Sequence, residues 1–181
     1  MVISIETKLG KNLSDKYVDL MNIHRKKEFG PKEAYDLKKE ESDSTFFIVK
    51  DNNKIVAFGL LKSITINYLG KKYGILGFRS GIAIIKGQGY GTILMKIMIE
   101  ECRKKEKTGL GFCLRRNIKF FEKCGLQTEK SLIKRFIYRN PSTKKVKKDN
   151  IGDGVYYNGK DNFVRKVLST KSRVYTNIPF W

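Results

Sequence analysis

The chain holds one histidine, three cysteines and only 18 acidic residues against 38 lysines and arginines. Each shortage removes a class of chemistry. Cys102, Cys113 and Cys124 are odd in number and form no C-x-x-C pair, so neither a disulfide framework nor a metal site is expected. Reduced thiols of the cytoplasmic type follow. His24 sits among Arg25, Lys26 and Lys27, where a solvated or capping role fits. It is far in sequence from Cys124, so a cysteine nucleophile with a histidine base is disfavoured and core packing is the plainer role for that thiol. No apolar run approaches the roughly 20 residues of a membrane span, and MVISIETK is short and mixed for a secretory leader. A cytoplasmic protein without a membrane partner is therefore expected. Internal repeats and low-complexity blocks are also lacking.

The shortage of acid leaves a net charge of +20. Such a charge attracts anions: nucleic acid, phosphates, acidic lipid or an acidic protein. A lysine-rich solvated surface is the bland alternative. With 40% apolar and 12% aromatic residues, the 181-residue chain has enough core for one folded domain, 1–181.

Ser14 is placed to cap a helix running to about Phe29, which Gly30-Pro31 breaks. A short helix over Pro31–Glu41 is expected next. Thr45–Lys50 and Lys54–Leu61 read as a hairpin around Asp51-Asn52-Asn53, and Ser63–Tyr68 and Tyr73–Ile85 as further strands. Tyr90, Ile93, Leu94, Ile97 and Met98 mark one face of a helix ending near Lys105. Gly109–Leu114 reads as a short buried strand, and Asn117–Lys123 as a short helix terminated by Gly125. Leu132–Arg139 alternates like a strand, 140–153 is a polar loop, and the remainder carries strand-like pieces ending on Pro179-Phe180-Trp181.

Gly87, Gly89 and Gly91 alternate between an apolar strand and an amphipathic helix. Glycine permits a sharp turn and a close approach of an anion to the amides. The following helix aims its free N–H groups and positive dipole end at that anion. The pattern suits a pyrophosphate cradle, with Lys86 adding charge. It lacks the four-residue gap and Lys-Ser/Thr of a P-loop. Its G-x-G-x-G spacing, preceded by hairpins, also differs from the dinucleotide fingerprint.

Ile82 to Thr92, reading IAIIKGQGYGT, resembles the acetyl-CoA signature of GNAT acetyltransferases, Arg/Gln-x-x-Gly-x-Gly/Ala, with Lys86 in the Arg/Gln position. Asn117 to Leu126, reading NIKFFEKCGL, is similar to the second block of that family. The resemblance spans about residues 45 to 140. It implies an α+β GNAT fold with a mixed, mostly antiparallel central sheet flanked by helices, and an acetyl-CoA-dependent N-acetyltransferase acting on a primary amine by direct attack in a ternary complex. It implies that Ile82, Ala83 and Ile84 offer backbone groups to the pantetheine arm. Lys86, Gly87, Gln88, Gly89, Tyr90, Gly91 and Thr92 would hold the pyrophosphate. Asn117, Phe120, Phe121 and Lys123 would line the other side of the thioester. A backbone amide near Ile82 would stabilise the oxyanion.

The layout is also similar to the aminoglycoside 2'-N-acetyltransferase branch, at Gly77-Phe78-Arg79-Ser80-Gly81, at 149–154 and in a terminal Trp. In that branch the position of Ser80 is an acidic residue that relays a proton from the amine, and the GNAT family's general-acid tyrosine in the second block is matched here by Phe121. Serine is no base near neutral pH and phenylalanine has no proton to give. Tyr90, Cys124, Glu122 and the terminal carboxylate of Trp181 are the substitutes to consider. A polycationic aminoglycoside would be repelled at +20 unless acids near 149–153, such as Asp153, made a local exception. By the same analogy Tyr17, Phe29 and Tyr35 would shape the acceptor pocket beside Ser80.

Lys134 to Lys148 carries seven basic residues and no acid, with Phe136, Ile137 and Tyr138 interleaved. That pattern suits nucleic acid, and equally a strand edge with a solvated loop. The competing function is therefore a weakly catalytic or non-catalytic acyl-CoA-fold protein that holds an anionic partner there, as a monomer or homodimer.

Overall fold

A computed structural model describes residues 2–140, 142–147 and 152–177. The chain divides into two compact units, Met1–Lys62 with Arg79–Met98, and Ser63–Phe78 with Ile99–Trp181.

The first unit opens with β1 (Ile3–Leu9), α1 (Asp15–Phe29), α2 (Leu37–Glu40) and β2 (Thr45–Asp51), followed by β3 (Lys54–Tyr68), which continues into the second unit. The β1–β2 pairing is antiparallel, from Ile3 opposite Asp51 to Leu9 opposite Thr45. The hairpin to β3 turns through Asn52 and Asn53, both left-handed, a conformation asparagine tolerates better than most residues. Phe46 to Val49 are all buried, which explains their unbroken apolar run. Met21 of α1 and Leu37 of α2 join Phe46, Ile48, Phe58, Leu60 and Ile82 in one core. Gly30, at φ +110, ends α1 and donates its N–H to the Lys26 carbonyl.

β4 (Lys71–Ala83) and α3 (Tyr90–Lys104) also run through both units. The second unit adds β5 (Gly109–Cys113), α4 (Ile118–Lys123), β6 (Gln127–Glu129), β7 (Phe136–Arg139), β8 (Val146–Lys147), β9 (Asp153–Tyr157), α5 (Phe163–Leu168) and β10 (Val174–Thr176). β4 meets β5 in parallel at Leu76–Gly109 and Gly77–Leu110. β9 lies antiparallel between β5 and β6. The main strand order is β1-β2-β3-β4-β5-β9-β6, and β10-β7-β8 form a smaller sheet. Phe163 anchors the second core, its ring 5.1 Å from Tyr73, 6.1 Å from Tyr68 and 6.4 Å from Phe136.

The mixed, mostly antiparallel sheet with helices matches the expected α+β class. Five local readings need correction. β3 is one strand, not two: Lys62, the apparent break, is tied to Glu41 at 3.0 Å and the strand passes through. The first half of Leu132–Arg139 is a 3-10 turn entered through left-handed Ser131, so β7 holds only four residues. In the stretch read as helix over Pro31–Glu41, only Leu37–Glu40 is α-helical, capped by Asp36 accepting from the Lys38 and Lys39 N–H groups. The stretch read as loop over 140–153 contains β8, and the tail read as strand-like holds α5 beside β9 and β10; β1 was not foreseen, because ISIETKL is too short for periodicity to separate from loop.

Candidate active site

The glycine loop lies in the first unit. Gly87 and Gly89 adopt φ of +81 and +79, which L side chains rarely take, and a Cβ on either would meet nothing within 4 Å. Their role is therefore conformational, with open space in front of the backbone. The Thr92 and Ile93 N–H groups close on the Gly89 carbonyl at 2.9 and 3.1 Å. That contact starts α3 and leaves the Tyr90 and Gly91 amides at its open N-terminal end. The first turn of α3 contains no acid, so its dipole is available to an anion. Lys86 is exposed and ion-paired to Glu28 at 2.9 Å. Gln88 is exposed, Ile82 buried, and Ala83 and Ile84 half-buried; the Ile84 N–H donates to the Val56 carbonyl at 2.8 Å.

Tyr90 points inward and is 5% exposed. Its hydroxyl donates to Asp51 Oδ2 at 2.5 Å, and Asp51 Oδ1 is buried without a partner. The hydrogen bond to Asp51, then burial, pushes the phenol above its ordinary value. Tyr90 therefore ties the loop to the β2–β3 hairpin.

Ser80 is left-handed at φ +52 inside β4, a conformation uncommon for a residue other than glycine. Its Oγ accepts from Arg25. Arg25 is buried and stacks 4.6 Å from the Tyr35 ring and 5.9 Å from the Phe29 ring. Next to Ser80, Arg79 pairs with Glu41. Glu41, 1% exposed, also accepts from Ser44 Oγ at 2.6 Å, Lys62 Nζ at 3.0 Å and the Tyr35 hydroxyl at 3.2 Å. Burial alone raises its carboxyl; Arg79, Ser44 and Lys62 outweigh this and hold it below the ordinary range. Tyr17, read as an acceptor-pocket residue, donates to Glu6 at 2.7 Å.

The second unit holds the other block. Asn117 ends a 3-10 turn and leads into α4, where the Phe120 and Phe121 rings lie 5.0 Å apart, edge to face. Phe120 and Lys123 are exposed, and Phe121 is half-buried. Cys124 is 6% exposed, with its N–H on the Phe120 and Phe121 carbonyls. Gly125 follows at φ +95. Glu122 accepts from Thr128 Oγ1 at 2.8 Å. Asp153 accepts from Arg115 Nε at 3.1 Å and the Ser131 N–H at 2.7 Å; chiefly through Arg115, its carboxyl lies below the ordinary range. It clamps β9 to the turn that introduces α4. Burial pushes the Cys113 thiol up to about 11 and the Cys102 thiol to about 12. Trp181, Lys148 and 149–151 lie outside the described residues.

The first unit thus gathers Phe29, Ser80 and the 82–92 loop, and the second gathers Asn117, Phe120, Phe121, Lys123, Cys124 and Asp153. The Arg25–Glu41–Arg79 network escaped sequence reading. Its one signal was Arg79, a charge inside the apolar run ILGFRSGIAII. Among the described residues no group of three His, Cys, Asp or Glu could hold a metal ion, and no helix is long and apolar enough to cross a membrane.

The model of the acetyltransferase (GNAT) family matches residues 17–126. No curated protein sequence matches the chain. Among solved structures, Escherichia coli ElaA superposes with TM-score 0.57 at 13% identity, over 86% of this chain and 99% of that one. The Bacillus subtilis N-acetyltransferase YlbP, solved in complex with coenzyme A, superposes with TM-score 0.52 at 17% identity, over 87% of this chain and 97% of that one. A probable N-acyltransferase from Enterococcus faecalis superposes with TM-score 0.57 at 12% identity over 72% of this chain, which spans only 33% of that longer protein.

Proposed function

Because this chain belongs to the GNAT acetyltransferase family, we propose that it is a single-domain cytoplasmic enzyme transferring acetyl from acetyl-CoA to a primary amine by direct attack in a ternary complex. The observation that carries the reading is the 86–92 loop. Left-handed Gly87 and Gly89, the open space before them and the acid-free start of α3 fit a pyrophosphate. Acetyl-CoA, when bound, supplies an acetyl group on a thiolate that leaves readily. Gly87, Gln88, Gly89, Gly91 and Thr92 would surround its phosphates, with Lys86 exchanging Glu28 for phosphate oxygen. Ile82–Ile84 would present backbone groups to the pantetheine, and an N–H near Ile82 would donate to the oxygen on which charge develops.

Proton transfer follows from the groups around Ser80. Arg25 and Arg79 are cations, and Glu41 is held in its charged form by Arg79, Ser44 and Lys62. None of these takes up a proton near neutral pH. Tyr90 spends its proton on Asp51. With no base among the described groups around Ser80, the acceptor amine reacts as its neutral fraction, and its proton leaves to solvent. kcat/KM is expected to climb with pH through the pKa of the amine, with no plateau set by an enzyme base near pH 6–7.

The test is differential scanning fluorimetry with acetyl-CoA, followed by thiol release over a panel of amines. Stabilisation by acetyl-CoA with amine-dependent thiol release supports the reading. No thermal shift and no release above buffer across the panel overturns it.

A further inference from the structure

The acetyl transfer proposed above gives no role to the basic stretch around Arg139, yet the second unit builds a cavity there of about 570 Å³. That volume lies within the range of sites that enclose a small organic ligand. Arg139, Lys144, Tyr175, Asn67, Asn140 and Thr65 line it, and among the described residues no carboxylate does.

The cavity is built on the small sheet. In the β7–β10 register Tyr175 stands beside Ile137, and in the β7–β8 register Arg139 stands beside Val146. Alternation therefore puts Tyr175 and Arg139 on one face of that sheet and Phe136 and Val174, both core residues, on the other. Tyr175 is 52% exposed, and the Arg139 guanidinium lies over its ring, 5.5 Å from the centroid, which leaves the other face for a base. Lys144 is held on a closed turn: its N–H meets the Asn140 carbonyl at 2.9 Å, and the Asn140 N–H meets the Lys145 carbonyl at 2.9 Å. The surrounding polar groups are amides and hydroxyls, which can both donate and accept. Not all the local charge is available to a ligand, because Arg135 spends its guanidinium on the carbonyls of Val167, Thr170 and Ser172.

We propose that this cavity binds single-stranded RNA, with a base stacked on Tyr175 and the adjoining phosphates on Arg139 and Lys144. An exposed aromatic ring flanked by cations is what a strand with accessible base faces and a charged backbone requires. A folded duplex hides its base faces and would meet only the charges. Asn140 Oδ1 already accepts from the Ser142 and Thr143 N–H groups at 2.9 and 2.8 Å, so the Asn67 amide is the lining group left to meet a base edge or a 2'-hydroxyl, and the +20 charge draws the strand in.

The experiment is fluorescence anisotropy with a labelled 12-nucleotide polyuridylate at low salt, without CoA, so it stands or falls apart from acetyl transfer. Tyr175→Ala is expected to weaken binding about ten-fold, a typical loss for one stacked base, and Tyr175→Phe to restore it. Arg139→Ala should weaken binding and flatten its salt dependence. Lys96→Ala removes the same charge from exposed α3 and should have little effect. No binding at low salt overturns the proposal. So does equal loss from Tyr175→Ala and Lys96→Ala, equal affinity for a duplex of the same length, or capture of a phosphopeptide in preference to the oligonucleotide.

Discussion

Glu41 is a buried carboxylate that owes its charge to its neighbours. Its folded pKa lies below the ordinary 4.5. A carboxyl depressed in this way stabilises the fold above its unfolded pKa, and that contribution is lost as pH falls through the folded value. Glu6, held at about 2 by Lys50, Lys8 and Tyr17, contributes with the same sign. Stability measured by urea unfolding should therefore be steady near neutrality and fall below about pH 4.5. Glu41→Gln leaves Arg79 and Lys62 without their counter-charge and should cost about 3 kcal/mol at pH 7 while flattening the acid limb of that profile. Gly89 poses a different problem, since at φ +79 with nothing within 4 Å a methyl group there strains the backbone without a clash. Gly89→Ala is expected to weaken coenzyme A binding about ten-fold by calorimetry, the equivalent of about 1.4 kcal/mol of left-handed strain. Its melting temperature should hardly move, because the exposed loop of the free protein relaxes away from the left-handed conformation and meets the strain only on binding.

Among the elements, β5 shows how a missing side chain sets spacing. A Cβ on Gly109 would lie 2.5 Å from Phe78 Cζ and 2.7 Å from Cys102 Sγ. Strand and helix can approach there only because nothing projects from Gly109. Gly109→Ala should cost about 2 kcal/mol, read as a drop of roughly 4–8 °C in Tm. The helix α3 was legible from its apolar spacing, and the hairpin at Asn52-Asn53 from turn chemistry. Both signals are local: one face every 3.6 residues, and residues that tolerate positive φ. β1 carries no such signal. Its exposed Ile5 and alternating charges look like loop, and it is a strand because β2 offers an edge for pairing.

At the scale of the whole molecule the charge of +20 acts on every anionic ligand at once. Coenzyme A carries several phosphate charges, so its affinity should fall roughly five-fold between low and physiological ionic strength, chiefly through the association rate. Stopped-flow binding at several salt concentrations checks this. An unchanged rate would show that the long-range field does not reach the loop.

Composition, the glycine spacing and the two blocks at 82–92 and 117–126 were enough to determine the fold class and to point to the cofactor, because both rest on patterns a few residues long. Tertiary structure alone decided what surrounds the chemistry. Ser80 and Arg79 stood in the sequence as an odd pair in an apolar strand. Folding brings Arg25 from 55 residues away onto Ser80, and Glu41 from 38 residues away onto Arg79. The same holds for Tyr175, which gave no sign in the sequence and meets Arg139 only because β10 pairs with β7. Burial of a charge and stacking of distant rings depend on which segments meet, and no local pattern encodes that.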